Sequence, residues 1–375
     1  MSAAPGRLIP TIQGALAYVP DPLPPHFDFA ALFNAYGDAM AGIGELNAKI
    51  AQLRNPQLII RPLQRREALL SSAMEGTYTT SDELALLEAG ADADTRADTR
   101  EVFNYISALM HSVDLMAKLP VCHRLIREAH AKLLSGLPQA RGGNKRPGEY
   151  KRDQNWIGGP TPVDARFVPP PPIETEAAMD QLESFINRPD PSHIPPLIEA
   201  GLVHYQFETI HPFADGNGCV GRILIPVMLL SRQLITSPVF YASASLEGRK
   251  DEYIDRMFAV SAKGEWTEWL RFFLHICADT CRTSVHVIDR LLALQATYRE
   301  KAMASFRSTN VIILIDHLFE IPIVSAPGVK ALLGVTHRAA RMTIANLEEI
   351  GVLQKVDGPS MPEYFAAREI LRAGE

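Results

Sequence analysis

The stretch His211-Pro-Phe-Ala-Asp-Gly-Asn-Gly-Cys-Val-Gly-Arg222 decides the fold, because it separates two apolar segments of helical spacing. Residues 196–210 carry apolar side chains at that spacing and predict a helix. The helix should end near His211, because proline disfavours helical geometry at the residue before it. Gly216-Asn217-Gly218 predicts a turn with positive φ, and residues 223–230 predict a second, mostly buried helix.

Within twelve positions this loop combines a base, an acid, a glycine turn and an arginine. Backbone N–H groups at a helix start attract anions, and glycine lets a phosphate approach the backbone closely. Asp215 is the kind of ligand that Mg²⁺ uses together with substrate phosphates. Arg222 can form paired hydrogen bonds with phosphate oxygens, and His211 can accept a proton from a hydroxyl. The alternative is a buried helix–loop–helix with structural residues, but the complete set favours phosphate chemistry.

The stretch resembles the signature of the Fic family, His-Pro-Phe-x-Asp/Glu-Gly-Asn-Gly-Arg-x-x-Arg. Members of that family usually transfer AMP from ATP to a hydroxyl of a target protein. The resemblance implies that His211 deprotonates the target's Tyr, Ser or Thr, and that Asp215 holds Mg²⁺. The nucleotide-binding residues that it implies in the signature are Gly216, Asn217, Gly218 and Arg222, of which Arg222 grips the γ-phosphate.

The chain departs from the family at Cys219, where the signature has its first arginine. That arginine helps to hold the nucleotide phosphates, and a neutral thiol supplies no charge-assisted hydrogen bond. The absence of one such bond costs about 1.5–3 kcal/mol, so we expect weakened rather than abolished chemistry. A redox role of the thiol is an alternative, because helix N-termini lower thiol pKa values.

A second motif, Ser71-Ser-Ala-Met-Glu75-Gly76, matches the family's inhibitory sequence Ser/Thr-x-x-x-Glu-Gly/Asn. Ser71 and Glu75 are four residues apart and lie on one face of a helix that Gly76 can cap. The resemblance implies an ion pair between Glu75 and Arg222 in the resting protein. While this ion pair is present, ATP can bind only in a pose that does not allow AMP transfer. The alternative is an ordinary surface glutamate before a glycine.

Between the two motifs, β-type residues at 150–157 and 165–168 flank glycines and prolines, which predicts a small hairpin. The family uses such a flap to clamp the target beside the histidine, and an exposed strand edge can pair with a peptide. The residues that this implies for target binding are Asn155, Trp156, Ile157 and Gly158. A hairpin that only packs over the helices is the alternative. Residues 245–260 predict a further helix, on which the resemblance implies that Tyr253 packs against adenine.

The composition is that of an ordinary globular protein: 375 residues, 47% hydrophobic and 21% charged, with a formal net charge of −6. This charge argues against broad attraction to nucleic acid or to an anionic membrane. The sequence has no apolar run long enough for a membrane span and no signal-peptide core at its start, so we expect a cytoplasmic protein. His275, Cys277, Cys281 and His286 fit no common zinc spacing, and the two cysteines are expected to be buried small residues.

Three regions are expected along the chain. Residues 1–120 form a proline-rich extended arm and a helical region with the inhibitory motif, 121–285 the Fic core with its flap, and 286–375 a linker helix and a last domain. The predicted helices 310–318, 324–335 and 336–350, with a strand over 352–356, resemble a winged helix-turn-helix. Acidic residues outnumber basic ones over 308–358, so we expect protein contact or dimerisation there, and DNA binding is not favoured.

The fold class that the resemblance implies is mainly α: a Fic-type helical bundle with a small β-hairpin flap and a winged helix at the C-terminus. The function it implies is an autoinhibited protein adenylyltransferase that uses ATP and Mg²⁺ on a target protein or on itself. Two alternatives stay open. Some relatives remove AMP with a water that the inhibitory glutamate orients, and Cys219 favours a degenerate Fic fold that acts as a regulator or adaptor. Members of the family often dimerise, so a homodimer is a further expectation.

Overall fold

The computed structural model describes residues 5–53, 55–91, 96–139, 145–356 and 362–374 of the chain. The described part is mainly helical, as predicted. Its first half contains β1 (Gly6–Pro10), β2 (Leu16–Pro20), α1 (Phe33–Ala51), α2 (Gln57–Met74), α3 (Ser81–Glu88), α4 (Ala97–Leu115), α5 (His123–Leu133) and α6 (Pro172–Ile186). The central helices are α7 (Pro196–Ile210), α8 (Asn217–Ser231), α9 (Ser243–Glu247), α10 (Lys250–Lys263) and α11 (Trp266–Ser305).

The last part of the chain combines short helices with a small sheet. Its elements are α12 (Thr309–Glu320), β3 (Ile323–Ser325), α13 (Ala326–Leu333), α14 (His337–Glu349), β4 (Gln354–Lys355), β5 (Tyr364–Ala366) and α15 (Arg368–Gly374). The strands form an antiparallel sheet in the order β3-β5-β4. In the described parts of the chain, no helix has both the length and the apolar character needed to cross a lipid bilayer.

Helices α7 and α8 form the centre of the molecule. Every residue of α7 from Leu197 to Ile210 is buried, because α6, α8 and α11 surround it. A helix buried on all sides must find partners for its polar side chains, since an unpaired buried polar group is costly. The polar side chains of α7 therefore bond to neighbouring elements or face the pocket described below.

The loop between α7 and α8 begins and ends close to the predicted positions. His211 adopts a left-handed conformation with φ of 49°, and Gly216 does so with φ of 72°. The turn predicted over 216–218 is shorter than expected, because α8 already begins at Asn217. The Asn217 side chain accepts a hydrogen bond from Phe213 N and donates one to Phe213 O, both at 2.8 Å, so it closes the loop from within the helix.

The hairpin predicted for the flap is reduced to one antiparallel bridge between Ile157 and Phe167. Prolines at 160, 162, 169 and 170 lack the N–H groups that a longer ladder needs. A regular two-stranded sheet forms elsewhere, where β1 pairs with β2. The N-terminal arm was predicted only as an extended segment, so this hairpin was missed. Tyr18 N donates to Val168 O at 2.8 Å and ties β2 to the end of the flap.

Helix α11 is 40 residues long and runs through the predicted boundary between residues 285 and 286. Helix α1 packs along it so closely that a Cβ added to Gly42 would lie 2.8 Å from Cys281 Cβ. Cys277 and Cys281 are buried in this helix, as expected. The division of the chain into three regions stays a prediction.

The helices of the C-terminal part begin at capping residues. The Ser325 hydroxyl accepts from Gly328 N at the start of α13, and the Thr336 hydroxyl accepts from Ala339 N at the start of α14. Val324, predicted to be helical, lies in β3 instead, and the strand predicted over 352–356 is shorter than expected. Residues 357–361 of this region lie outside the described residues. The winged-helix assignment stays a prediction, while α12 and α15 both pack against α2, which carries the inhibitory motif.

Candidate active site

A pocket lies where the end of α2, the start of α8, helix α10 and the flap meet. Its polar end is lined by Glu75, Glu208, His211, Gly218, Arg222 and Lys250. Its apolar end is lined by Ile157, Phe167, Tyr253, Ile254, Met257 and Phe258. The structure thus brings residues of both sequence motifs, three residues of the flap and the predicted adenine-packing tyrosine to a single cavity.

Arg222 is held by the inhibitory motif. Its Nε donates to Ser71 Oγ at 2.8 Å, and its Nη2 donates to Ser71 O at 2.9 Å. The same Nη2 lies 2.8 Å from Glu75 Oε1, so the expected ion pair is present. The arginine side chain is 3% exposed and that of the glutamate 42%, so the pair faces the pocket on the carboxylate side.

Glu75 lies where the structure of α8 favours an anion. Helix α2 ends at this residue, and Gly76 follows with φ of 85°. A Cβ added to Gly218 would lie 2.1 Å from Glu75 Oε1, so the carboxylate rests against the first turn of α8. Burial raises the pKa of Glu75, but the charge of Arg222 and its hydrogen bond outweigh that effect and lower the pKa. The carboxylate is therefore ionised and occupies an anion site.

Cys219 is buried beside the ion pair. Its Sγ lies 3.9 Å from Ser71 Oγ and 3.7 Å from Arg222 Nη2. Burial raises the pKa of the thiol to about 12, although the nearby arginine acts in the opposite direction. The thiol is therefore neutral near pH 7, and the alternative of a low-pKa redox cysteine is contradicted.

His211 has the protonation state of a base. Its Nδ1 donates to Glu208 O at 3.3 Å, since a carbonyl can only accept, and this leaves the Nε2 lone pair free. Burial lowers the pKa of His211 to about 4, and the charge of Lys151 adds to the effect. The imidazole is thus neutral near pH 7.

Asn155 holds the loop that carries His211, a role that the sequence did not predict. The amide of Asn155, expected to contact a target, donates instead to His211 O at 3.1 Å and to Phe213 O at 3.0 Å. Lys151 Nζ in turn donates to Asn155 Oδ1 at 2.8 Å and to Ile210 O at 3.1 Å. Burial lowers the pKa of this lysine to about 7. A lysine among charged neighbours is typical of a protein surface, so the sequence did not indicate that Lys151 is buried against the loop.

His130 braces the other side of the loop. Its ring stacks on Phe213 with centroids 3.8 Å apart. Its Nδ1 accepts from Gly148 N at 2.9 Å, and its Nε2 donates to Asp215 O at 3.1 Å. Burial lowers its pKa to about 4, so it stays neutral and structural. Asp215 itself is exposed at the edge of the loop, where its Oδ1 accepts from the N–H of Gly216 at 2.8 Å.

Eight of the predicted site residues do not line the main pocket: Ser71, Gly76, Asn155, Trp156, Gly158, Asp215, Gly216 and Asn217. Asn155 and Trp156 line a neighbouring cavity together with Ala214. The Asn217 side chain, predicted to bind nucleotide, is fully used by the backbone of Phe213, so its role here is to shape the loop. Of the four flap residues predicted to bind a target, Ile157 lines the main pocket, together with Arg166 and Phe167 of the same flap.

Tyr253 is buried at the apolar end, where its hydroxyl donates to His204 Nε2 at 2.8 Å. His204 Nδ1 donates to Gly221 O at 3.0 Å, so a hydrogen-bonded chain runs from α10 through α7 to α8. The helix predicted over 245–260 is divided into α9 and α10.

Glu208 is a further pocket residue that sequence reasoning missed. Its side chain makes no hydrogen bond within the described part of the chain, and the residue is 8% exposed. Burial raises its pKa to about 7, against the charge of Arg222. A Cβ added to Gly221 would lie 2.0 Å from Glu208 Oε1, which explains why this helical position is a glycine.

Two family models match the chain, and together they cover about half of it. The model described as Fic/DOC family N-terminal matches residues 33–114, which include the inhibitory motif. The model described as Fic/DOC family matches residues 120–229, which include the flap and the α7–α8 loop. Both models therefore match residues that build the pocket.

Among curated proteins, the chain is similar to insect relatives named protein adenylyltransferase Fic. It is 27% identical to that of Drosophila virilis over 197 residues, which is 52% of this chain and 37% of the relative. It is 29% identical to that of Drosophila willistoni over 164 residues, which is 43% of this chain and 30% of the relative. The chain thus spans about a third of the length of the curated relatives it matches.

Solved structures show the same fold. A Fic family protein from Desulfovibrio desulfuricans superposes with a TM-score of 0.58 at 20% identity, over 92% of this chain and 98% of that one. A Fic domain containing signaling protein from Bacteroides thetaiotaomicron superposes with a TM-score of 0.53 at 21% identity, over 67% of this chain and 97% of that one.

Proposed function

The chain belongs to the Fic/DOC family, and from that premise we propose that it is a protein adenylyltransferase held inactive at rest by Glu75. The reaction is the transfer of AMP from ATP to a Tyr, Ser or Thr hydroxyl of a target protein or of the chain itself. Its relatives named protein adenylyltransferase Fic support this activity.

The observation that carries the proposal is the position of the Glu75 carboxylate. It bonds to Arg222 at 2.8 Å and rests against Gly218 in the first turn of α8. A helix start with a nearby arginine attracts phosphate for the same reasons that it attracts a carboxylate. Glu75 therefore takes the place of a phosphate group, and a triphosphate must displace it in order to bind productively.

The residues around this position can carry out the transfer. His211 Nε2 accepts the proton of the target hydroxyl, whose oxygen then bonds to the α-phosphorus. The bond from that phosphorus to the bridging oxygen breaks, and pyrophosphate leaves. Arg222, freed from Glu75, would bind the γ-phosphate and orient the chain of phosphates for this displacement.

Asp215 would hold Mg²⁺, which neutralises phosphate charge when it is bound. The exposed carboxylate at the edge of the loop fits this role, because Mg²⁺ is commonly held by one or two carboxylates together with substrate phosphates. Among the described residues there is no group of three or more potential metal ligands, so the phosphates would have to supply further ligands.

The flap is our candidate for the target-binding surface. Ile157 reaches the pocket, while Trp156 is partly exposed on the neighbouring surface. The bridge between Ile157 and Phe167 is short, and we expect the backbone of Trp156 beside it to pair with a strand of the target. Asn155 is not part of this surface, since the α7–α8 loop uses its side chain.

The test is incubation with labelled ATP and Mg²⁺, followed by detection of AMP on the chain and on added proteins. We expect weak labelling by the wild type, stronger labelling by Glu75→Gly and none by Glu75→Gly/His211→Ala. Glu252→Gly, at an exposed ion pair with Arg256, is the control and should behave as the wild type. Equal labelling by all four variants, or none by any of them, would refute the proposal.

The same variants separate the alternatives. An enzyme that removes AMP needs the carboxylate of Glu75, so release of AMP by the wild type but not by Glu75→Gly would favour it. A degenerate regulator would bind no ATP even after Glu75→Gly. Homodimer formation, protein contacts of the C-terminal part and a cytoplasmic location stay predictions, and sedimentation analysis tests the first of them.

A further inference from the structure

The polar end of the pocket has little positive charge for a triphosphate. Arg222 is one cation there, and it also serves as the partner of Glu75. Cys219 adds no positive charge, because its thiol is neutral and the residue is buried, at 6% exposed. Several phosphate oxygens would therefore lack a charged donor if the site ended with the residues of the α7–α8 loop.

Lys250 supplies a cation from a different element. It is the first residue of α10 and lines the same polar end as Glu75, Gly218 and Arg222. Its Nζ donates to Met74 O at 2.8 Å, at the last residue of α2 and directly before Glu75. An ammonium group has three donors, so two remain for oxygens that enter the pocket.

We propose that Lys250 is a second phosphate-binding residue of this site, and that it provides from α10 the positive charge that Cys219 does not provide from α8. This inference rests on the proposed function, since it takes a nucleoside triphosphate as the ligand. It goes beyond the signature, because Lys250 lies outside both motifs.

The arginines at or beside the pocket are engaged with carboxylates, and Lys151 bonds to Asn155 and Ile210 outside the pocket. Arg166, at the apolar end, pairs with Asp255, and its guanidinium lies 5.2 Å from the ring centroid of Phe258. Arg249, the neighbour of Lys250, pairs with Asp279 at 2.6 Å and does not line the pocket. Within the described residues Lys250 has no carboxylate partner, and its bond to a neutral carbonyl is easier to share with phosphate.

The position of Lys250 also suits the resting state. Among the influences on the pKa of Glu75, burial is the largest and raises it, whereas the charges of Arg222 and Lys250 lower it. The lysine thus already interacts with the carboxylate that stands in the place of a phosphate. When a triphosphate replaces Glu75, the same charge acts on the incoming oxygens.

Isothermal titration with ATP and Mg²⁺, and separately with pyrophosphate and adenosine, tests the inference in the Glu75→Gly background. Removing one charge-assisted hydrogen bond should weaken the binding of ATP and pyrophosphate about tenfold or more in Glu75→Gly/Lys250→Met. Adenosine binding should stay within twofold. Arg249→Met is the matched control, because it removes a neighbouring charge from the same part of the chain, and it should leave all three affinities unchanged.

Two further variants separate charge from packing. Lys250→Arg should retain most of the ATP affinity, and Cys219→Arg should restore affinity to Glu75→Gly/Lys250→Met. If Lys250→Met binds pyrophosphate as tightly as its parent, or loses adenosine affinity to the same extent as ATP affinity, the inference is wrong. If Glu75→Gly itself binds neither ATP nor pyrophosphate, the proposed function fails together with it.

Discussion

Replacing Asn155 should slow the chemical step without weakening the binding of nucleotide. The amide of Asn155 donates to the carbonyls of His211 and Phe213, and Lys151 Nζ fixes the amide by donating to its Oδ1. These bonds hold the left-handed turn at His211, whose imidazole meets the target hydroxyl in the proposed reaction. Asn155 does not line the nucleotide pocket, so its removal changes the position of the base rather than the ATP site.

The size of the effect follows from the hydrogen bonds that the substitution removes. Asn155→Ala removes two of them from the loop, each contributing about 0.5–1.5 kcal/mol, which gives about 1–3 kcal/mol. The loop is partly exposed, and water can replace part of this stabilisation. A displacement of about 1 Å in the reacting geometry costs about a hundredfold in rate. We therefore expect kcat to fall between about tenfold and a hundredfold.

The assay is single-turnover transfer of labelled AMP in the Glu75→Gly background, with ATP affinity measured separately by calorimetry. Asn155→Asp keeps the size of the side chain but faces the two carbonyls with an acceptor, so it should be at least as slow as Asn155→Ala. Gln154→Ala is the matched control, because Gln154 donates to Asn155 O and Pro169 O and so supports only the flap. The reasoning is refuted if Asn155→Ala keeps kcat within twofold of its parent, or if Gln154→Ala slows the reaction as much.

Three further outcomes follow from the site. Iodoacetamide at pH 8 should leave Cys219 of the native protein unmodified, since burial raises the pKa of its thiol to about 12, while the more exposed Cys122 reacts; peptide mass spectrometry detects both. Gly221→Ala should lower the free energy of unfolding by up to about 2 kcal/mol, because its Cβ would lie 2.0 Å from Glu208 Oε1 and the cost of overpacking exceeds the gain of alanine in a helix; Gly221→Ala/Glu208→Ala should recover part of it in denaturant titrations. Because the neutral form of His211 is the proposed base and its pKa is lowered to about 4, the rate of Glu75→Gly/Glu208→Gln, which lacks the pocket carboxyl with a pKa of about 7, should fall on acidification only below about pH 5; a loss of rate centred near pH 6.5 at saturating ATP would contradict this.

Local sequence patterns and motifs predicted part of the site. The bounds of α7 and the start of the loop follow from apolar spacing and from Pro212, and both agree with the structure. The ion pair between Glu75 and Arg222 joins residues 147 positions apart, and only the combined resemblance of the two motifs pointed to it. Periodicity alone would not have paired them.

The parts that were missed depend on backbone groups that only the fold brings together. Asn155 and Lys151 were not expected to hold the loop, because their acceptors are carbonyls of residues 210–213. Glu208 was missed for a related reason, since a charged residue in an apolar helix gives no sign of which way it faces. The flap was over-predicted for another reason: its side chains favour strands, but its prolines remove the donors that pairing needs.

Under the proposed function, Glu75 and Cys219 both influence the free energy of nucleotide binding. On that proposal, a nucleotide must displace Glu75 from Arg222, and the free energy of that step is a property of the protein before the nucleotide binds. Cys219 cannot donate a hydrogen bond to a phosphate of the bound nucleotide. The free energy lost with that hydrogen bond adds to the cost of displacing Glu75, and each of the two lowers the affinity by its own factor. An arginine at position 219 would also lie beside Arg222, since Sγ is 3.7 Å from Nη2, and would give Glu75 a second cationic partner. The cysteine therefore weakens both the binding of ATP and the binding of the inhibitory glutamate, and the second effect offsets part of the first.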